Sequence, residues 1–235
     1  MSQMKKIRQY FNSYADFYGG RSKDRFRDIP EFLSKEVKKG FMVLDVGCGK
    51  GEFLDYLESN FDCQTFGVDI SRKMLSFAPQ KSNLLQADAC HLPFKSGVFD
   101  VVYCDTLLHH LVGNSIKMTL KFQKLAVAEI IRVTKLQGII IQELFFDFSS
   151  SIVKKALFYY LTLCSRARLS PFPGRPPVSI DLKSKKEWRQ FLEKFKQLNL
   201  LKEDVYPHHR TLRLKLLGIR EVGNIVFFFR KVKEK

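Results

Sequence analysis

Between Val43 and Leu54 the chain reads VLDVGCGKGEFL, and no other stretch restricts its folding as tightly. A largely apolar run, Val43 to Val46, leads straight into Gly47, Gly49 and Gly51. A strand that enters a helix through so short a link must turn sharply, and a ligand laid against that turn needs the space a side chain would fill. Glycine supplies both, because it lacks a Cβ and tolerates positive φ. The spacing is G-x-G-x-G; the G-x-G-x-x-G of nicotinamide binders would put its third glycine where Glu52 stands, which speaks against a dehydrogenase.

From Phe41 onward, apolar runs, glycine turns and helical stretches alternate in the rhythm of a βαβ sheet. The pattern predicts strands at 41–46, 64–69, 84–87, 98–104 and 137–144, with helices near 50–60, 71–79 and 116–134. VFDVVYC at 98–104 and QGIIIQEL at 137–144 are almost continuously hydrophobic, so they belong in the centre of a sheet covered on both faces. Upstream, residues 3–18 mix charged and aromatic side chains at helical spacing, and a second helix is expected after Pro30, which suits a first turn. Downstream come an amphipathic helix at 150–165, a proline-rich stretch at 170–177 and a helix at 183–198 around Trp188. Strands at 200–207 and 223–232 close the chain.

Two aspartates extend the glycine loop. Asp69 ends the second predicted strand, 18 residues past Gly51, where a carboxylate can accept both hydroxyls of a ribose diol. Asp88 follows the third strand in Gln86-Ala87-Asp88-Ala89 and can accept from the exocyclic amine of adenine. A carboxylate at a strand end is ordinarily just solvated; the loop, Asp69 and Asp88 in this order carry the reading together.

With these residues in place, the sequence resembles the class I S-adenosylmethionine-dependent methyltransferases, especially the branch with ubiquinone/menaquinone- and biotin-pathway enzymes. The resemblance covers roughly residues 8–144. Its marks are VLDVGCGKGEFL, FGVDIS at 66–71, QADACHLPFKSGVFDVVYCDTLLHHL at 86–111 and AEIIRVTKLQGIIIQE at 128–143. Phe11, Ala15 and Tyr18 match the spacing of an N-terminal lid helix. The resemblance implies a doubly wound, mostly parallel seven-stranded Rossmann-like α/β sheet with that helical lid. The chain then divides into lid helices (1–40), cofactor-binding core (41–149), helical and proline-rich insertion (150–182) and last helix with closing strands (183–235). It also implies that Asp45, Gly47 and Gly49 meet the methionine part of the cofactor, Asp69 the ribose and Asp88 the adenine. Ile70 and Ala89 would sandwich the adenine ring, and Cys104 or Asp105 would reach the methionine amine. Lys135-Leu136-Gln137-Gly138 departs from the usual Lys-Pro-Gly-Gly before the fifth strand, and the stretch between His110 and Glu129 is a few residues long.

A sulfonium methyl is already electrophilic, so such a site mainly aligns the acceptor and excludes water. If a proton must leave, His109, His110 and Asp105 stand at the carboxyl end of the fourth strand, where open α/β sheets bind ligands. Tyr14 and Tyr18 are the lid aromatics expected to face the substrate. The five histidines show no H-x-x-x-H or cysteine pairing, so no metal is expected.

Forty Lys and Arg against 24 Asp and Glu give a net charge of +16. Residues 151–235 carry 20 basic and only 7 acidic side chains. Such an excess draws polyanions, so RNA, tRNA in particular, or an anionic membrane surface joins a small or lipophilic acceptor as a partner to weigh. A lysine-rich proteome would explain the charge equally well. Cys104-Asp105-Thr106-Leu107 stands where enzymes acting on base amines carry an Asn/Asp-Pro-Pro-aromatic run, which speaks against that RNA chemistry; a cofactor-binding protein without catalysis is the third reading. Five cysteines without a C-x-x-C pair fit a reducing compartment, and the N-terminus lacks the apolar stretch of a secretory signal, so a cytoplasmic protein is expected. Oligomeric state is not legible.

Overall fold

In the computed structural model, Phe41–Val46 (β1) forms where the sequence predicts it, and its last four residues are buried. The structure describes all residues except 1–2, 19–28, 37–38, 79–82, 171–175, 178, 210–211 and 234–235. β1 pairs in parallel with Cys63–Asp69 (β2) on one side and Phe99–Asp105 (β4) on the other. Asn83–Gln86 (β3) extends the sheet beyond β2, and Thr134–Phe148 (β5) lies beside β4. Ile219–Lys231 (β7) runs antiparallel to β5, and Leu198–Pro207 (β6) runs antiparallel to β7. Among the described residues seven strands thus form one sheet of order β3-β2-β1-β4-β5-β7-β6, with β7 alone reversed.

Strand alternation sorts the core into two layers. Val46, Val102, Cys104, Ile141 and Phe227 point to one face, where they meet Ala126, Val127 and Ile130 of Ile116–Val133 (α5) and Trp188 and Phe191 of Lys185–Leu192 (α7). Val43, Val101, Ile140, Val226 and Phe228 point to the other. They meet Ile29 and Leu33 of Ile29–Glu36 (α2) and Phe53 and Leu57 of Glu52–Asn60 (α3). Pro30 sits in the first turn of α2, as expected.

The remaining helices are Gln3–Ser13 (α1), Arg72–Leu75 (α4), Ser151–Ala167 (α6) and Leu212–Leu216 (α8). Serines start several of them: Ser71, Ser115, Ser150 and Ser184 each accept a backbone N–H of the first turn. Ser184 and Glu187 complete a reciprocal capping box.

The predicted helices at 71–79 and 183–198 come out shorter. After Leu75 the N–H groups of Phe77 and Ala78 reach back three residues instead of four, and α7 gives way to a similar turn at Phe195. β5 comes out longer, because no turn interrupts Lys135 to Gly138; an irregular register against β4 absorbs the extra residues. α8 was not legible as a helix. Most of the proline-rich stretch at 170–177 lies outside the described residues.

Candidate active site

The loop after β1 sets the site's floor. Gly47, Gly49 and Gly51 have φ of 81°, 55° and 75°, values L side chains seldom adopt. A Cβ on Gly47 would stand 3.1 Å from Leu107, so the loop also needs glycine for the close approach of the β4 exit. Gly47 N and Cys48 N donate to Val68 O at 2.8 and 3.0 Å, fixing the loop to β2.

Asp69, at the end of β2, is tied to that loop. Its Oδ2 accepts from Gly49 N at 3.1 Å and its Oδ1 from Ser71 N at 2.7 Å. Burial pushes its carboxyl above the ordinary value, and the backbone N–H bonds oppose the rise. A carboxylate oxygen has two lone pairs, so both oxygens keep acceptor capacity after these bonds. Asp88 Oδ1 accepts from Cys90 N at 2.8 Å, which turns the chain after β3.

Beyond β4 the chain enters Thr106 at φ 48°, a left-handed conformation rare for a β-branched residue. Its surroundings hold it there. Thr106 N donates to Gln142 O at 2.8 Å, and buried Glu143 gathers the next three amides. Glu143 Oε1 accepts from Leu107 N and Leu108 N at 3.1 and 2.7 Å, and Oε2 accepts from His109 N at 3.3 Å. Burial pushes the Glu143 carboxyl up to about 8 against the pull of these bonds. A second buried layer lies below: Gln123 Nε2 donates to Leu108 O and Asp181 Oδ2, both at 3.0 Å, and Lys183 Nζ donates to Gln123 Oε1 at 2.7 Å and contacts Asp181.

The lid is docked on this floor. Asn12 Oδ1 accepts from Ser71 Oγ at 2.7 Å, Gln3 Nε2 donates to Val112 O at 2.8 Å, and the Phe11 ring meets His110 edge-on at 5.2 Å. Tyr10 and Tyr18 hydroxyls pair at 2.8 Å, and burial with this bond holds the Tyr10 phenol well above its usual range.

Together these elements enclose a cleft that brings Asp45, Gly47, Gly49, Asp69, Ile70, Asp88, Ala89, Asp105, His110 and Tyr18 to one wall system. Three expected residues lie elsewhere. Cys104 is fully buried on the α5 face, because strand alternation gives the cleft to Tyr103 and Asp105; of the pair proposed for the methionine amine, only Asp105 reaches the site. His109 is turned under the loop, where Glu143 takes its Nδ1; among the described residues lining the cleft, His110 is the imidazole. Tyr14 lines a neighbouring groove instead. Sequence reasoning missed Ile7, Met74 and Thr106 in the cleft and Glu143 and Gln123 beneath it. A carboxylate within the apolar run of β5 was the available signal for Glu143.

A parallel sheet with one reversed strand, a glycine loop after β1 and acidic residues after β2 and β3 give the fold seen in solved methyltransferases. Residues 44–142 match the family model described as a methyltransferase domain, and this part of the chain is such a domain. The residues fit S-adenosylmethionine as a methyl donor: the glycines leave a side-chain-free cradle, and Asp69 keeps acceptor capacity for a diol.

Among curated relatives, an uncharacterized protein of Methanocaldococcus jannaschii is 37% identical over 129 residues, 52% of this chain and 54% of that protein. The tRNA (carboxymethyluridine(34)-5-O)-methyltransferase of Arabidopsis thaliana is 28% identical over 140 residues, 59% of this chain and 32% of that protein. The chain thus spans about half, or less, of the length of these relatives. In fold it is similar to the Haemonchus contortus phosphoethanolamine N-methyltransferase 2, solved with phosphomonomethylethanolamine and S-adenosylhomocysteine, at a TM-score of 0.68 and 14% identity, covering 97% of this chain and 60% of that one. Among the described residues no helix is long and apolar enough to cross a membrane, and no group of His, Cys, Asp and Glu could hold a metal ion.

Proposed function

We propose that this protein transfers a methyl group from S-adenosylmethionine to a small or lipophilic acceptor that reaches the donor cleft from beneath the lid. The observation that carries this reading is a shared wall. Ile7, Phe11 and His110 line both the donor cleft and a second groove between α1 and the end of α6. A methyl donor in one space and an acceptor in the other would meet there.

When bound in the cleft, S-adenosylmethionine would supply an electrophilic sulfonium methyl group. The chain's own work is binding, alignment and exclusion of water. Asp69 holds the ribose, Asp88 with Ile70 and Ala89 the adenine, and Asp45, Gly47, Gly49 and Asp105 the methionine end. His110 takes a proton where the acceptor has one to lose. Tyr18 closes the donor side and Tyr14 faces the acceptor. A lipophilic acceptor suits α6, which packs Phe158 and Leu161 inward and leaves Ile152, Tyr159, Tyr160 and Leu163 exposed. A cytoplasmic location suits this reading, because S-adenosylmethionine is available there.

A tRNA acceptor is the second reading, supported by the Arabidopsis relative and by the basic excess of residues 151–235. Calorimetry with S-adenosylmethionine tests the donor site; no binding would overturn the whole proposal. Transfer of a labelled methyl group into a metabolite and lipid extract, against transfer into total tRNA, decides between acceptors. Label confined to tRNA would replace the first reading with the second.

A further inference from the structure

We infer that the groove between α1 and the end of α6 is an acceptor subsite for an anionic group, a phosphate or carboxylate, held by Lys6, Arg166 and Arg168. This rests on the reading of the adjoining cleft as the methyl-donor site.

Three observations converge. Lys6 comes from the lid and the two arginines from the last turns of α6, so opposite ends of the fold contribute cations to one concavity. Among the described residues lining the groove there is no Asp or Glu, although the chain has 24 of them. A concavity lined by one sign of charge focuses its field and concentrates the opposite ion.

Arg168 adds a backbone argument. It caps α6 at φ 56°, a left-handed position where glycine is the common choice. Its amide bonds back to Ser165 O at 3.2 Å, which glycine would do equally well. A helix C-terminus favours cations by itself, which would explain Arg166 and Arg168. It does not explain Lys6, which comes from another element.

The ligand class follows from the donors. Guanidinium groups match phosphate and carboxylate oxygens in pairs, and an ammonium adds a point charge. Ser165, Ser179 and Asn114 bring neutral polar groups to the same walls. The acceptor would thus be an anionic small molecule whose nucleophile lies toward His110, where groove and cleft meet.

The test is calorimetric titration of the full chain, loaded with S-adenosylhomocysteine, with inorganic phosphate and with phosphoethanolamine at low ionic strength. Arg166→Ala with Arg168→Ala, and separately Lys6→Ala, should each weaken phosphoethanolamine by about tenfold or more, as for loss of charge-assisted hydrogen bonds. S-adenosylhomocysteine affinity should stay unchanged in all three proteins. No binding of either phosphate probe to the loaded parent protein, or equal binding by the variants, overturns the subsite. So does a tRNA transcript that binds and loses affinity in the variants while both small probes fail, because the groove would then serve a polynucleotide. Failure of S-adenosylhomocysteine to bind the parent chain is a separate result and overturns the donor site instead.

Discussion

Nδ1 of His109 lies 2.6 Å from Oε2 of Glu143, and both side chains are out of solvent. The pair sits under the loop that carries Asp105, Thr106 and His110 into the cleft, and the same carboxyl binds three amides of that loop. Glu143 therefore acts on the site through the backbone it positions.

Its raised pKa makes this a pH-dependent support. Between the ordinary 4.5 and about 8, the folded chain holds a proton on Glu143 that the unfolded chain has released. Stability from this group is whole below the lower value and is lost as pH climbs through the upper one. Urea denaturation of the parent protein between pH 5 and 9 should show a falling midpoint. Glu143→Gln, with no proton to lose, should flatten that fall. Parallel curves would show that the carboxyl is already ionised in the fold.

Asp69 lines the cleft itself and is the residue proposed to hold the ribose. Removing its carboxylate in Asp69→Ala is expected to weaken S-adenosylmethionine by about tenfold to a hundredfold, as for loss of charged hydrogen bonds. Asp69→Asn keeps one acceptor oxygen, enough for Gly49 N or Ser71 N but not both, and should fall between. Burial raises this carboxyl, so cofactor affinity of the parent protein should drop on acidification earlier than an ordinary aspartate would allow. The Asn variant should lack that limb. Calorimetry across pH measures all three, and unaltered affinity in Asp69→Ala would remove the ribose assignment.

Much of this was legible because local rules and the fold agree. VLDVGCGKGEFL had to be a strand, a positive-φ turn and a helix, and the mostly apolar runs at 98–104 and 137–144 became β4 and β5 near the centre of the sheet. Residue types at strand ends singled out Asp69 and Asp88, and both line the cleft. What could not be read depends on which way a side chain turns and on contacts between distant segments. His109 and His110 are neighbours of identical chemistry; only a carboxylate 34 positions away decides that one is buried and the other lines the site. Cys104 and Asp105 separate by the alternation of a strand whose end lay one residue later than predicted. The groove needs Lys6 beside Arg166 and Arg168, a meeting no spacing in the sequence announces.

The lid's docking rests on few bonds, and Asn12 makes the most specific of them. Asn12→Ala loses the acceptor for Ser71 Oγ at 2.7 Å and for Lys73 N at 3.3 Å. Ser71 is buried, so leaving its hydroxyl without that acceptor should lower global stability by about 1–3 kcal/mol. The lid should open more often. Hydrogen exchange within 3–13 is expected to accelerate in the free protein, and the Michaelis constant for S-adenosylmethionine to rise several-fold with little change in turnover. Unchanged exchange would mean that the aromatic contacts of Phe11 and Tyr18, with the Gln3 and Asp16 contacts, hold the lid without Asn12.

Trp188 tests stability in the core. It is fully buried between α7 and the sheet, stacks edge-on with Phe191 at 6.0 Å and donates from Nε1 to Leu144 O at 2.8 Å. Trp188→Ala should cost about 3–5 kcal/mol, the range for deleting a large aromatic from a packed core. Trp188→Phe keeps most of the apolar volume and loses the donor, leaving a strand carbonyl without that bond, at about 1–3 kcal/mol. Because α7 also carries Glu187 and follows the Asp181–Lys183 segment beneath the β4 exit loop, the larger deletion should loosen that loop as well. Urea denaturation gives the two costs, and cofactor calorimetry on the folded fraction reads the loop. If Trp188→Ala and Trp188→Phe proved equally destabilising, the hydrogen bond to Leu144, and not ring volume, would hold α7 on the sheet.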